Sequence, residues 1–306
     1  MYTIPELSNT YQAFYDNITT TVGCSTAADS LACLRTVPFP QLYSASVGFQ
    51  FKPYIDGEFI SRPPSQSIEL GQIADVAVIT GSNTDEGTAD FFTPRATLNS
   101  ETDIFNFIKG QGLGLDNNTV NTVLSLYPDD PSQGCPFGTG RRRFKSQGLQ
   151  YKRGAAIAGD LAIHAGRRYY AARHAERSKK PVYTYRFNQA PWNMKEIDVA
   201  TVAPVYATHF AEIVYVFDNP DENSNWIGPY PSYHVLQKFI SNAWIAFIYD
   251  QNPNNHGLNG KPVWPEYSTQ SPQNLVFQTG ASYVEDDDYR KEQLGFWWTI
   301  WPELQT

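Results

Sequence analysis

The chain is predicted to be α/β, with strands of a parallel sheet separated by amphipathic helices. Three stretches predict this. Residues 76–80 form a continuous β-branched and apolar run closed by Gly81-Ser82-Asn83, the pattern of an interior strand buried on both faces. Residues 181–187, PVYTYRF, alternate and are rich in β-branched and aromatic side chains, so they read as the next strand. Between and after them, residues 151–169 and 232–250 place apolar side chains at helical spacing.

Taken in order, residues 8–22 read as a helix with Ser8 as N-cap and Tyr11, Phe14 and Tyr15 on one face, stopped by Gly23. Residues 37–67 have many prolines and aromatics and no sustained period, which predicts loops in which Phe49, Phe51, Tyr54 and Phe59 either line a pocket or, equally, plug a core. After the strand at 76–80 come two short helices, 101–109 and 119–127, separated by the glycine-rich QGLGL. In the helix at 151–169, Tyr151, Ala155, Ala158 and Ala165 recur on one face, with His164 beside them as a packing residue. The helix at 232–250 turns Leu236, Phe239, Ile240, Ala243, Trp244 and Phe247 inward, and residues 274–278 form a last short strand. His234 and His256 read as surface residues, and residues 285–288 as a solvated acidic run without the ligand spacing of a calcium loop.

With 306 residues, 41% apolar and 18% charged, the composition is globular. A formal net charge of −8 argues against nucleic acid as a partner. The charge is uneven: residues 141–180 hold 12 of the 23 Lys and Arg, and this segment reads as two exposed helices with a solvated basic face. No apolar run is long enough to cross a membrane, since Lys238 interrupts the most hydrophobic helix, and residues 1–5 have no signal-peptide character. Asn17-Ile-Thr and Asn117-Asn-Thr are glycosylation acceptor sequons. Cys135 is a buried or idle thiol, because neither an acid nor a histidine flanks it.

The chemistry centres on residues 75–88, DVAVITGSNTDEGT, where Asp85 and Glu86 follow a strand at its carboxyl end. That edge is where open α/β sheets bind ligands. His209 lies in a loop 123 residues beyond Glu86, an order that matches the acid and base of a Ser-Asp/Glu-His hydrolase. The nucleophile belongs upstream of Glu86. No G-x-S-x-G occurs in these residues: Ser82 in GSN and Ser282 in GAS lack the second glycine, and no Gly-Gly-rich oxyanion loop precedes Glu86. The five histidines are never paired with one another or with cysteines at metal-ligand spacing, so neither metal nor cofactor is expected.

Several segments, in order, resemble the C-terminal part of type-B carboxylesterases, the family of cholinesterases and secreted fungal lipases. They are Cys24-Ser25 with Cys33-Leu34-Arg35, Tyr54-Ile55-Asp56-Gly57 with Pro63, GSNTDEG at 81–87 and YPDDP at 127–131. The loop around His209 with Glu212, Asn252-Pro253-Asn254 and WPEY at 264–267 complete the set. The resemblance implies that residues 1–306 form one incomplete α/β-hydrolase unit, comprising the C-terminal strands of the central sheet with cap and flanking helices. It assigns Glu86 as catalytic acid, His209 as base and Glu212 as support, with Asp85 the competitor for the acid. It implies a Cys24–Cys33 disulfide, an extracellular location, and a small-molecule or lipid ester as substrate. The serine and oxyanion hole fall to a separate N-terminal half. Phe210 departs from the pattern, where many members have a small residue after the histidine. Two other readings stay open: a non-catalytic binding module and an inactive truncated product.

Overall fold

A computed structural model describes residues 9–49, 53–192, 206–219 and 227–301. Ser8, Phe51 and Val205 lie outside them. In chain order the elements are α1 (Asn9–Thr21), α2 (Ser30–Leu34), α3 (Phe39–Ser46), α4 (Pro64–Glu69), β1 (Val78–Asn83), α5 (Glu101–Lys109), α6 (Asn117–Leu126) and α7 (Tyr151–Gly159). A π-helical turn, Asp160–His164, joins α7 to α8 (Ala165–Arg177), followed by β2 (Val182–Phe187), α9 (Ile213–Val216), α10 (Pro231–Asp250), β3 (Gln273–Phe277), β4 (Tyr283–Asp286) and α11 (Lys291–Ile300).

The sheet runs β1-β2-β3-β4. The first three strands are parallel, with Ile79 opposite Tyr183 and Tyr185 opposite Leu275, and β4 returns antiparallel with Val284 opposite Leu275. β1 begins two residues later than the apolar run and continues through Gly81-Ser82-Asn83, so the glycine ends nothing. Gly81 is in the strand because the Tyr185 ring lies where a Cβ would stand, 2.2 Å from its ideal position. Among the described residues β1 is an edge strand rather than an interior one, paired with β2 alone and only half-buried at Val78–Gly81.

Two apolar cores flank this sheet. On one side Ile104 and Ile108 of α5, Val120 and Val123 of α6, Tyr151 and Ile157 of α7, and Leu294 and Trp297 of α11 pack together. On the other, the α10 face of Leu236, Phe239, Ile240 and Ala243 packs on Tyr185, Phe187, Leu275 and Phe277. Trp264 completes that core: its indole N–H donates to Thr184 O at 2.8 Å, and Asn254 clamps its backbone at both N and O. The NPN and WPEY segments are therefore one structural clasp.

Several local expectations are corrected. Residues 37–67 contain α3 and α4, each started by proline at its first turn, where the missing N–H costs nothing. Tyr54 and Phe49 stack on Tyr11 and Phe14 of α1, and Phe59 is 90% exposed, so these aromatics do not wall a pocket. The basic segment is not two solvated helices. All nine residues of α7 are buried, and its charges are spent inside: Arg153 donates to the C-terminal carbonyls of α6 at Leu124 and Tyr127. Arg167 and Arg168 of α8 close on buried Asp287. The acidic run at 285–288 is correspondingly β4 and its exit, with Glu285 paired to Arg186. His256 is half-buried against the Phe239 ring at 5.2 Å. The period at 151–169 is broken by the π turn at 160–164, beyond which the helix continues to Arg177.

Cys24 and Cys33 form a disulfide, tying the end of α1 to α2. Asn17 and Asn117 are both exposed, in α1 and at the start of α6.

Candidate active site

The carboxyl end of β1 turns through Thr84 and Asp85 into one 3-10 turn, Glu86–Thr88. This turn sits directly on α7. A Cβ on Gly87 would fall 1.8 Å from the Ala155 carbonyl oxygen, and one on Gly159 would fall 2.8 Å from the Gly87 nitrogen, so both glycines are required by contact. The turn is also tied to the distant loop at 206–212: Asp85 N–H donates to Ala207 O at 2.9 Å, and the Thr88 hydroxyl meets that of Thr208 at 2.9 Å.

These ties bring Glu86 and His209 together. His209 Nδ1 donates to Glu86 Oε2 at 2.5 Å, while the other carboxylate oxygen, Oε1, accepts the Asn83 backbone N–H at 2.7 Å. Glu86 is 3% exposed. Both its oxygens are thus held, and Nε2 of the imidazole has no hydrogen-bond partner among the described residues. The Phe91 and Phe92 rings meet the imidazole edge-on, at 5.5 and 5.1 Å, and limit its rotation.

Asn83 is the residue that sequence reasoning did not single out. Its side-chain amide donates to Thr208 O at 2.7 Å and to Glu212 Oε2 at 2.5 Å, so one side chain links strand, histidine loop and second carboxylate. Only its place in the GSN segment at the end of β1 marked it. Burial pushes the Glu212 carboxyl up from its ordinary value, while the Asn83 amide pulls it down.

Asp85 points elsewhere. Its carboxylate accepts the Phe137 N–H at 2.8 Å and faces the buried Cys135 thiol at 3.6 Å. Burial pushes its pKa up to about 7, opposed by those hydrogen bonds. Burial and Asp85 together push the Cys135 thiol up, the opposite of what a nucleophile needs. His164 is enclosed beneath the site, its Nδ1 3.0 Å from Ser82 Oγ; burial and four arginines push its pKa down.

Phe210 stands in the left-handed region at φ +70°, with its ring centroid 4.0 Å from that of His209 and its side chain largely in solvent. A small residue suits such a backbone; phenylalanine carries about 1–2 kcal/mol of strain there.

The structure thus brings a buried carboxylate that follows a parallel strand onto a histidine from a later loop at the same sheet edge, the edge where open α/β sheets bind ligands. The chain belongs to the carboxylesterase family, whose model matches residues 6–297. It is 30% identical over 290 residues to Lipase 4 of Diutina rugosa, a match covering 90% of this chain and 47% of that protein. To a secreted triacylglycerol lipase of Gibberella zeae it is 27% identical over 310 residues, covering 95% of this chain and 48% of that one. The crystal structure of Aspergillus niger EstA shares the fold, with a TM-score of 0.73 at 19% identity, over 100% of this chain and 58% of that one. The chain spans about half the length of the curated relatives it matches.

Proposed function

We propose that these residues are the acid-and-base part of a serine carboxylic-ester hydrolase, one incomplete α/β-hydrolase unit over 1–306. The observation that carries this reading is the 2.5 Å contact between His209 Nδ1 and a Glu86 carboxylate whose second oxygen is already occupied. Such a pair fixes the imidazole tautomer and stabilises imidazolium. In the reaction, a serine Oγ attacks the ester carbonyl while His209 Nε2 takes its proton. The same nitrogen then protonates the departing alcohol. Water, deprotonated by His209, releases the carboxylic acid and restores the serine. Asn83 and Glu212 act as positioning residues behind the histidine loop.

The serine and the oxyanion donors would come from a segment outside these residues, a separate N-terminal half. Two features favour such a partner: the outer edge of β1, which no described strand pairs, and an apolar groove of about 590 Å³ whose lining includes Ile213, Val216, Phe217, Trp244 and Ile248. The substrate would be a small-molecule or lipid ester. Secretion, with carbohydrate on exposed Asn17 and Asn117, fits the Cys24–Cys33 disulfide and relatives named as secreted lipases.

The test is hydrolysis of p-nitrophenyl butyrate by the chain co-expressed with an N-terminal half, from a family member, that carries G-x-S-x-G. Turnover is expected only with both parts, and is expected to fall by about 10³-fold or more in His209→Ala and in Glu86→Gln. Assembly of a stable complex whose turnover ignores both substitutions would overturn the reading. Turnover by the chain alone that His209→Ala abolishes would instead mean that a nucleophile lies within these residues.

A further inference from the structure

A second cavity lies away from His209, bounded by the end of α6, the 131–134 turn, the middle of α7 and the start of α11. Its volume is about 200 Å³. A cavity of this size suits a short hydrocarbon chain with a small polar head, such as octanoate. Leu126, Pro128, Phe137 and Ala156 form apolar walls, while Gln133 is exposed, at the mouth. Two guanidinium groups, Arg153 and Arg290, line the cavity, and no carboxylate does.

The two arginines differ in what they have left to offer. Arg153 is committed on all three nitrogens, to Tyr127 O, Leu124 O and Glu101. Arg290 spends only one edge: Nε and Nη2 close on buried Asp160, and Nη1 makes no hydrogen bond among the described residues. Its guanidinium lies against two rings, with Cζ 4.1 Å from the Phe137 centroid and 4.9 Å from that of Tyr289. Asp160 is in turn fixed by the Tyr127 hydroxyl at 2.9 Å. The cation is therefore rigid, balanced once by Asp160, and open at its end. An apolar slot with one preorganised, unspent guanidinium edge fits a ligand with a hydrocarbon body and an anionic planar head.

We propose that this cavity binds an amphipathic carboxylate, its head group on the free end of Arg290 and its chain against Leu126, Pro128, Phe137 and Ala156. The site is separate from the His209 machinery and does not rest on the ester-hydrolysis reading.

The experiment is calorimetric titration of the full 306-residue chain with octanoate and, in parallel, with octanol. Octanoate is expected to bind saturably and at least about tenfold more tightly than octanol, because only the carboxylate reaches the guanidinium. Ala156→Leu fills the slot and Gln133→Trp, at an exposed position, closes its mouth. Each is expected to weaken octanoate at least about tenfold with thermal unfolding unchanged for Gln133→Trp. Arg290→Lys keeps a charge for Asp160 but loses the planar edge, so octanoate weakens while octanol does not. His209→Ala leaves binding intact. The proposal is overturned by the absence of octanoate binding, by equal affinity for octanol, by binding that Gln133→Trp leaves unchanged, or by binding that is lost in His209→Ala.

Discussion

At the scale of single residues, adjacent carboxylates in one turn are driven to opposite uses by their surroundings. Glu86 has a histidine and a backbone N–H on its two oxygens, whereas Asp85 is buried against Phe137 N–H and a thiol. The sign of the Asp85 effect follows from linkage. Its pKa rises from 3.8 to about 7 on folding, so between those values the unfolded chain has lost a proton that the native chain keeps. Stability from this group is therefore present below about pH 4 and lost as pH rises to about 7, by roughly 4 kcal/mol in all. Urea titrations at pH 4.5 and 7.5 should show Asp85→Asn, which still accepts from Phe137 N–H, gaining stability relative to the parent at the higher pH. An unchanged difference between the two proteins would show that Asp85 titrates normally. Phe210 offers a separate check on backbone strain. At φ +70° glycine relaxes what alanine cannot, so Phe210→Gly should melt above Phe210→Ala, by an amount corresponding to about 1 kcal/mol, although glycine has more entropy to lose on folding. The reverse order would mean that the loop does not hold this conformation in solution.

At the scale of elements, the acid turn is placed by contact with a helix rather than by its own sequence. Gly87 lies against the Ala155 carbonyl with no room for a methyl group. Gly87→Ala should therefore lower stability by about 3 kcal/mol or more, read as a drop in melting temperature, while the same change at half-buried Gly295, where a Cβ meets nothing within 4 Å, should be tolerated. Equal melting of the two variants would disprove the close approach. This contact also explains what could be read from the chain beforehand. The local run GSNTDEG and the loop histidine were legible as a pair because residue types and order carry them. The strands at β1 and β2, and helices α5, α6 and α10, were legible from their periods. The burial of Arg153, Arg167 and Arg168 was not, because each charge is neutralised by partners far along the chain, such as Asp287, 120 residues from Arg167. Asn83 was missed for the same reason: its partners at Thr208 and Glu212 are brought to it only by the fold.

At the scale of the whole molecule, the same apolar patterning that identifies β1 as an interior strand conflicts with its place at the sheet edge. Its residues Val78 to Gly81 are half-buried rather than covered, and its outward N–H and C=O groups are unpaired by any described strand. Beside it, Ile213, Phe217, Ile245, Ile248 and Tyr249 are exposed, a cluster larger than the scattered apolar residues normal to a surface. An open parallel edge next to an apolar groove is a template for pairing. Left alone, the chain should satisfy it with copies of itself. Light scattering coupled to size exclusion should then give a mass above that of the 34.5 kDa monomer, with strong binding of a hydrophobic dye. Ile245→Lys with Ile248→Glu should reduce both without lowering the melting temperature, since these side chains contribute little to the α10 core. Co-expression with an N-terminal half should remove the self-association altogether, because a strand added to β1 and a helix laid over the groove bury the surfaces that drive it. A monodisperse monomer that binds no dye would mean that the edge is covered from within the chain, and the case for a separate half would then lose its structural support.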